Sequence, residues 1–521
     1  MYHDFIMKPI SFFCFIMVIG LISCNDSDDK YDQRRKNLYA QIIPEPAKVE
    51  VQKNNLLLKS DFTIYHDNDF GDISDQKLML QEFMTERLRY VDKGNTAFNI
   101  ISKPSLGEEC YELSINDSGI YLYASTKKGI FYGMQTFFQL FLSITDNQLS
   151  HLSIEDCPRF TPRGLMLDPA RHFIPVEDIK SFIDIMSFYK FNKLHLHLSD
   201  DEGWRVEIKG LHELNHKEAG HGIYGEKRAR YTQEELIGIV KYAAAREVEI
   251  IPEIDIPDHN HHIASIYPEM KCGGPSSKNG QLCASNDKVL DFMSIVISEL
   301  ADIFPSSNFH LGGDEVSVET MKDCEVCQNK MKQLGYQKEE QLLSYLFENT
   351  AKILERHQKS PMFWFDFNIM DYPVNSTVYS WIKERSPEAI SISKSKNYKL
   401  ICSPDEYSYF NYPQAWENEP PFDNWGMPAL LLYDIYNFDP TFGLPSEQAS
   451  AITGIEALLW SEYMTSVNTL FYMAYPRAIA FSECGWSYPE NKDWIMFCQR
   501  LKYHLKYLSQ KGINYRHPTE I

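Results

Sequence analysis

Short apolar runs alternate with longer amphipathic stretches through most of this chain. After residue 158 eight such runs stand out: Gly164–Leu167, Lys193–Leu198, Val248–Glu253, Phe309–Leu311, Met362–Phe365, Thr377–Trp381, Lys399–Cys402 and Ile455–Trp460. Each is too short for a core helix and reads as a strand covered on both faces. Between them apolar residues recur at helical spacing. Val176–Tyr189 sets Ile179, Phe182, Ile183 and Met186 on one face. Thr232–Arg246, Asp287–Ile303, Glu339–His357 and Val467–Phe481 carry similar patterns, and Thr232 with Glu235 predicts a capping box. Strands alternating with helices in this way predict an α/β fold, a (β/α)8 TIM barrel over residues 158–521. Residues 41–157 read differently. Strand patterns at Leu56–Leu58, Phe98–Ile101, Tyr111–Ile115 and Gly119–Ala124 precede a helical pattern at Lys128–Leu142. They predict a small α+β domain, and Pro158, Pro162 and Arg163 mark its exit.

The N-terminus does not belong to either unit. Pro9–Ser23 is nearly all apolar yet short for a bilayer span, and it ends at Leu21-Ile22-Ser23-Cys24. This resembles a bacterial lipoprotein signal over residues 1–24, with Cys24 lipidated. Residues 25–40, opening with Asn25-Asp26-Ser27-Asp28-Asp29-Lys30, read as a flexible polar tether. The expectation is a chain anchored by lipid in the cell envelope, periplasmic or on the outer surface.

Charge narrows the partners. Asp and Glu total 72 against 51 Lys and Arg, a net charge of −21, which disfavours nucleic acid and leaves a neutral ligand as the better fit. The chain has 11 cysteines. Export permits disulfides, and Cys272 with Cys283 flanks a Gly/Ser/Lys-rich loop that a bond between them would close. Cys324-x-x-Cys327 reads as a small disulfide or half a zinc site. No second Cys-x-x-Cys or His pair at ligand spacing accompanies it, so the sequence favours no metal and no cofactor.

The sharpest chemical signal is Phe309-His310-Leu311-Gly312-Gly313-Asp314-Glu315, an apolar strand ending in two glycines and two carboxylates. Neighbouring acids on extended backbone face different surroundings, which can drive their pKa values apart. Other strand ends add acids, a histidine and aromatics: Ser199-Asp200-Asp201-Glu202-Gly203-Trp204-Arg205, Asp255 to His259, Trp364, Trp381 and Trp460-Ser461-Glu462. A barrel gathers strand ends at one mouth, and acids beside an aromatic wall suit a sugar.

These blocks resemble the β-N-acetylhexosaminidases of glycoside hydrolase family 20. The resemblance rests on Pro44-Glu45-Pro46, Phe131 to Gln135, Arg163-Gly164, Leu167 to Phe173, His195 to Arg205, the blocks around Asp255 and Asp314, Glu456 to Glu462, and Pro476 to Glu483. It implies that Glu315 is the general acid, with a pKa raised by burial or by Asp314. It implies that Asp314 holds the N–H of the substrate's 2-acetamido group, whose oxygen attacks the anomeric carbon. Tyr409 would hold that oxygen, a His259–Asp255 pair would support the acid, and Asp200 would be an outer acid. Arg163 and Glu462 would clamp sugar hydroxyls, with Trp364, Trp381, Trp425 and Trp460 as walls. The implied ligand is a terminal N-acetylhexosamine. Three positions depart from the family pattern: Asp258 before the histidine, Asn411 after Tyr409, and Phe365-Asp366 after Trp364. Two alternatives stay open: a non-catalytic glycan-binding protein, and an enzyme releasing a disaccharide or a sulfated GlcNAc.

Overall fold

The computed structural model describes residues 41–521 apart from 89–91, 145–146, 217–229, 275, 279, 370, 417–425 and 465. The leader, Cys24, the 25–40 tether and Trp425 therefore lie outside the described residues. Among those described, no helix is long and apolar enough to cross a membrane.

Six strands form the first sheet: β1 (Lys48–Leu57), β2 (Asp61–His66), β3 (Asn95–Ser102), β4 (Tyr111–Asn116), β5 (Gly119–Ala124) and β6 (Gln148–Asp156). Their order across the sheet is β1-β6-β4-β5-β3-β2. Strict alternation in β4 buries Tyr111, Leu113 and Ile115 on one face. Helix Lys127–Gln139 covers that face, buried along nearly its whole length. Strands β2 and β6 and helix Ser74–Arg87 were not evident in the sequence. In that helix only Gln76, Leu80 and Met84 are buried, too sparse a stripe to show a helical period.

The barrel then closes in full. Strand β7 (Arg163–Leu167) pairs with β8 (Lys193–His197), and a small hairpin of β9 (Ser199–Asp200) and β10 (Gly203–Trp204) follows. Next come β11 (Glu249–Glu253), β12 (Asn308–His310), β13 (Ser360–Trp364), β14 (Thr377–Ser380), β15 (Lys399–Cys402) and β16 (Ile452–Leu459). β16 returns to β7 in parallel register, Ile455 opposite Arg163 and Leu459 opposite Leu167. All eight apolar runs are barrel strands, so their C-terminal ends open at one mouth. Inside, Met166, Ile251, Met362, Trp364, Tyr379, Ile401 and Leu458 form a central cluster on which Trp381, Tyr409 and Trp460 rest.

The expected helices are present, and the Thr232–Glu235 capping box forms. One expectation is corrected. Val467–Phe481 is not one helix but two, Val467–Ala474 and Arg477–Trp486. Pro476 stands between them, and without an N–H it cannot continue the first ladder.

Candidate active site

Strand polarity decides which side chains reach the mouth. Leu311 ends the apolar run after β12, and Gly312 and Gly313 follow with φ of +64° and +93°. A Cβ on Gly312 would lie 1.8 Å from Asp255 Oδ1, so only glycine fits there. This turn presents Asp314 with its side chain 14 % exposed and Glu315 with its side chain 62 % exposed. Glu315 itself takes φ +55°, and its backbone N–H donates to Asp366 Oδ2 at 3.0 Å. Asp366 therefore holds the strained turn, a contribution that sequence reading missed because Phe365-Asp366 appeared only as a departure from a pattern.

His259 joins the two acids. Its Nε2 lies 3.7 Å from Asp314 Oδ2 and 3.3 Å from Glu315 Oε2. Its Nδ1 lies 3.2 Å from Asp200 Oδ1. The expected His259–Asp255 pair is thus corrected to His259–Asp200. Asp255 instead accepts the N–H of Gly313 at 2.9 Å, underneath the acidic turn, and its Oδ2 has no hydrogen-bond partner among the described residues. His259 takes φ +56°, and its N–H donates to Asp258 Oδ1 at 3.0 Å. The left-handed position therefore falls on the histidine, not on Asp258.

Arg163 is also corrected. It is the first residue of β7, so it lies at the end of the barrel away from the mouth. There its guanidinium pairs with Glu109 at 2.7 Å and sits 4.8 Å from the Trp486 ring centre. The arginine at the mouth is Arg171, beyond the end of the same strand. It meets Asp200 at 2.8 Å, Glu202 at 3.1 Å and Asp168 at 3.3 Å, and lies over Trp460 at 5.1 Å. Glu462 shares this neighbourhood electrostatically.

The charges explain the proton positions. Burial works against ionising Asp200, but the charges of Arg171 and His259 and the hydrogen bond from His197 hold its pKa far below the usual range. Burial likewise opposes a charge on His259, yet Asp200 foremost, with Glu315 and Asp314, raises its pKa well above that of free imidazole. Burial pushes Asp314 up to about 6, His259 opposing the shift and Glu253 and Glu315 adding to it. Glu315 moves the other way: its hydrogen bond to His259 outweighs partial burial and lowers it. The expectation of a raised Glu315 is corrected, because the exposed side chain leans on a cation. Asp255 is raised well above the carboxylate range by burial and then by the Asp314 charge. Burial lifts Glu462 to about 7 despite Arg171.

The remaining wall is aromatic. Trp364 is 5.8 Å from Trp460, Trp460 is 6.4 Å from Tyr409, and Tyr409 stacks on Trp381 at 6.5 Å between ring centres. Trp364 Nε1 donates to Glu253 Oε1 at 2.8 Å, tying the wall to a buried carboxylate that also meets His195, His197 and His310. Among the described residues, Asp314 Oδ1, Trp381 Nε1 and Asn411 Oδ1 are buried without a hydrogen-bond partner. Unpaired polar atoms of both kinds against aromatic faces suit a ligand that is apolar on its faces and carries an amide.

Two family patterns match this chain: "Glycosyl hydrolase family 20, catalytic domain" over residues 160–489 and "Glycosyl hydrolase family 20, domain 2" over residues 39–157. The chain belongs to glycosyl hydrolase family 20. A β-hexosaminidase of Akkermansia muciniphila is 36% identical over 428 residues, 79% of this chain and 86% of the relative. One of Porphyromonas gingivalis is 30% identical, covering 98% of this chain and 69% of the relative. The fold is similar to the exo-β-N-acetylglucosaminidase of Vibrio harveyi solved with N-acetylglucosamine. That match has a TM-score of 0.80 and 28% identity, over 92% of this chain and 79% of the other. This family 20 protein is accordingly a glycoside hydrolase of the β-N-acetylhexosaminidase type.

Proposed function

We propose that the enzyme is an exo-acting, retaining β-N-acetylhexosaminidase that removes terminal GlcNAc or GalNAc, with the substrate's own acetamido oxygen as nucleophile. The observation carrying this reading is that Asp314 and Glu315 leave one turn and lean on the same imidazole. An enzyme nucleophile would instead stand across the sugar, with the two carboxyls roughly 5–5.5 Å apart on opposite sides of the scissile bond. Here the inner acid, Asp314, keeps an unused buried oxygen that suits an amide N–H. Tyr409 and Trp381, stacked with ring centres 6.5 Å apart, would donate to the amide oxygen.

In this reading Asp314, as the anion, holds the amide N–H and favours the positive charge that grows as the acetamido oxygen closes on C1. The product of that step is an oxazolinium ion. Glu315 gives its proton to the departing glycosidic oxygen, then takes one from the water that opens the ring. A sugar over Glu315 removes water from the most exposed of the acids, which raises its pKa toward the value an acid needs. Arg171 and Glu462 replace Arg163 as the charged partners for sugar hydroxyls. Charge-assisted hydrogen bonds of this kind contribute about 1.5–3 kcal/mol each. The Vibrio harveyi enzyme, named as exo-acting and solved with N-acetylglucosamine, supports release of a single GlcNAc.

Glu315→Gln tests the assignment. On glycosides with poor leaving groups kcat/KM is expected to fall about 10²–10⁴-fold, and far less on activated aryl glycosides, which need no proton. Equal loss on both classes would remove Glu315 from the acid role.

A further inference from the structure

Four cysteines that the reaction does not use meet at one point behind the acidic turn. Cys272, Cys283, Cys324 and Cys327 are all buried and unbonded, and their sulfurs lie within 4.8 Å of one another. Cys272 Sγ is 3.8 Å from Cys327 Sγ, and Cys283 Sγ is 3.8 Å from Cys324 and 3.5 Å from Cys327. A disulfide needs about 2.05 Å. Four thiolates at about 2.3 Å from a zinc ion stand about 3.8 Å apart along the edges of the tetrahedron. The observed separations match the second figure. Elsewhere in the same chain Cys110 and Cys157 form a disulfide, so the spacing distinguishes this cluster from a bonded pair.

The backbone is built for such a site. Cys272 and Cys283 sit at the neck of a hairpin: the Cys272 N–H donates to the Gln281 carbonyl and the Cys283 N–H to the Met270 carbonyl. Cys324 caps helix Glu325–Leu334, and Cys327 lies in its first turn. The helix supplies the second Cys pair as a Cys-x-x-Cys step, and the hairpin supplies the first. Sequence reading set zinc aside because no second pair was visible. The fold provides it from a hairpin whose two cysteines are not at ligand spacing along the chain.

We propose that Cys272, Cys283, Cys324 and Cys327 form a structural tetrathiolate zinc site that fastens the loop after β11 to the loop after β12. On binding, the four thiols lose their protons to solvent and all four sulfurs bond the metal. No coordination position stays open, so the ion has a structural role. The two loops it joins carry His259 and the Asp314–Glu315 turn. Further contacts hold these loops: the Leu282 N–H donates to the Pro257 carbonyl at 2.7 Å within the first, and the Ser317 N–H donates to Gln281 Oε1 at 3.2 Å between the two. The metal thus acts as a positioning element for the acid pair and its histidine, from outside the sugar site.

The test uses the full chain purified from zinc-supplemented medium without chelators. Elemental analysis is expected to give about one zinc per chain, as a closed four-cysteine site requires. An organomercurial added to the native enzyme should release that zinc to a colorimetric dye. Cys324→Ser should lose the zinc, whereas Cys498→Ser, on the C-terminal helix, should keep both zinc and activity. If Cys324→Ser does not fold, mercurial release from the unmodified enzyme decides the matter. Zinc well below one equivalent, with the four sulfurs found as two disulfides in the unreduced protein, would overturn the proposal. So would iron in place of zinc, or zinc retained in Cys324→Ser.

Discussion

Two carboxylates side by side on a solvated turn would titrate together near their ordinary values. At Asp314 and Glu315 the surroundings divide them: burial lifts Asp314 to about 6, and the His259 cation lowers Glu315. Between these values the pair carries one proton, mostly on Asp314, while the proposed reaction needs it on Glu315. Because the two sites interact, the pair titrates as a unit and the reactive tautomer rises and falls with the singly protonated form. kcat/KM, which reports the free enzyme, is therefore expected to be highest between the depressed Glu315 pKa and about pH 6, and to fall as pH rises through about 6. A kcat/KM profile flat from pH 6 to 8 on a substrate needing acid assistance would contradict this division.

At the scale of elements, the loop geometry after β12 is set by glycine. Gly312 combines φ +64° with a Cβ position already filled by Asp255 Oδ1. Gly312→Ala must push Asp255 or the acidic turn aside. Displacement of about 1 Å from the reactive geometry costs about 10²-fold. The variant is expected to lose at least that much kcat/KM while its circular dichroism is unchanged; wild-type turnover would show that the turn is not constrained. What could be read in the sequence follows the same physics. All eight barrel strands were legible because strands buried on both faces form unbroken apolar runs. Asp314, Glu315, His259, Trp364, Trp381 and Trp460 could be singled out because they lie at or just beyond strand ends. Arg171 was overlooked in favour of Arg163, although polarity separates them: Arg163 opens β7 and Arg171 follows its C-terminal end. The exchange of Asp200 for Asp255 as the histidine's partner was not legible, since irregular loops have no period that fixes where a side chain turns. The same holds for the four cysteines, which only the closed barrel brings together.

For the whole molecule, the small domain is held to the barrel by buried charge. Lys190 Nζ lies 3.0 Å from Asp156 Oδ2 with both side chains fully buried, and Tyr111 and Trp486 complete the group. Arg163 with Glu109, and Arg500 with Glu45 and Glu483, make two more junctions. Removing one partner of such a pair leaves an uncompensated buried charge. Lys190→Ala is expected to destabilise the chain by about 3–5 kcal/mol in urea unfolding. Lys190→Met combined with Asp156→Asn should cost less, because no charge remains to desolvate. A loss below about 1 kcal/mol for Lys190→Ala would place the pair among weakly contributing contacts. These junctions all lie on the far side of the barrel from the mouth, which leaves the acid cluster free to serve the reaction.

The most direct test of the chemistry alters the substrate and not the enzyme. Aryl N-acetyl-β-glucosaminides whose acetyl methyl carries none, one, two or three fluorines differ little in size but progressively weaken the amide oxygen as a nucleophile. If that oxygen attacks C1, kcat/KM should fall steeply and steadily with each fluorine, and the corresponding glucoside without the acetamido group should not be cleaved. A rate that ignores fluorination, or equal cleavage of the glucoside, would contradict the account.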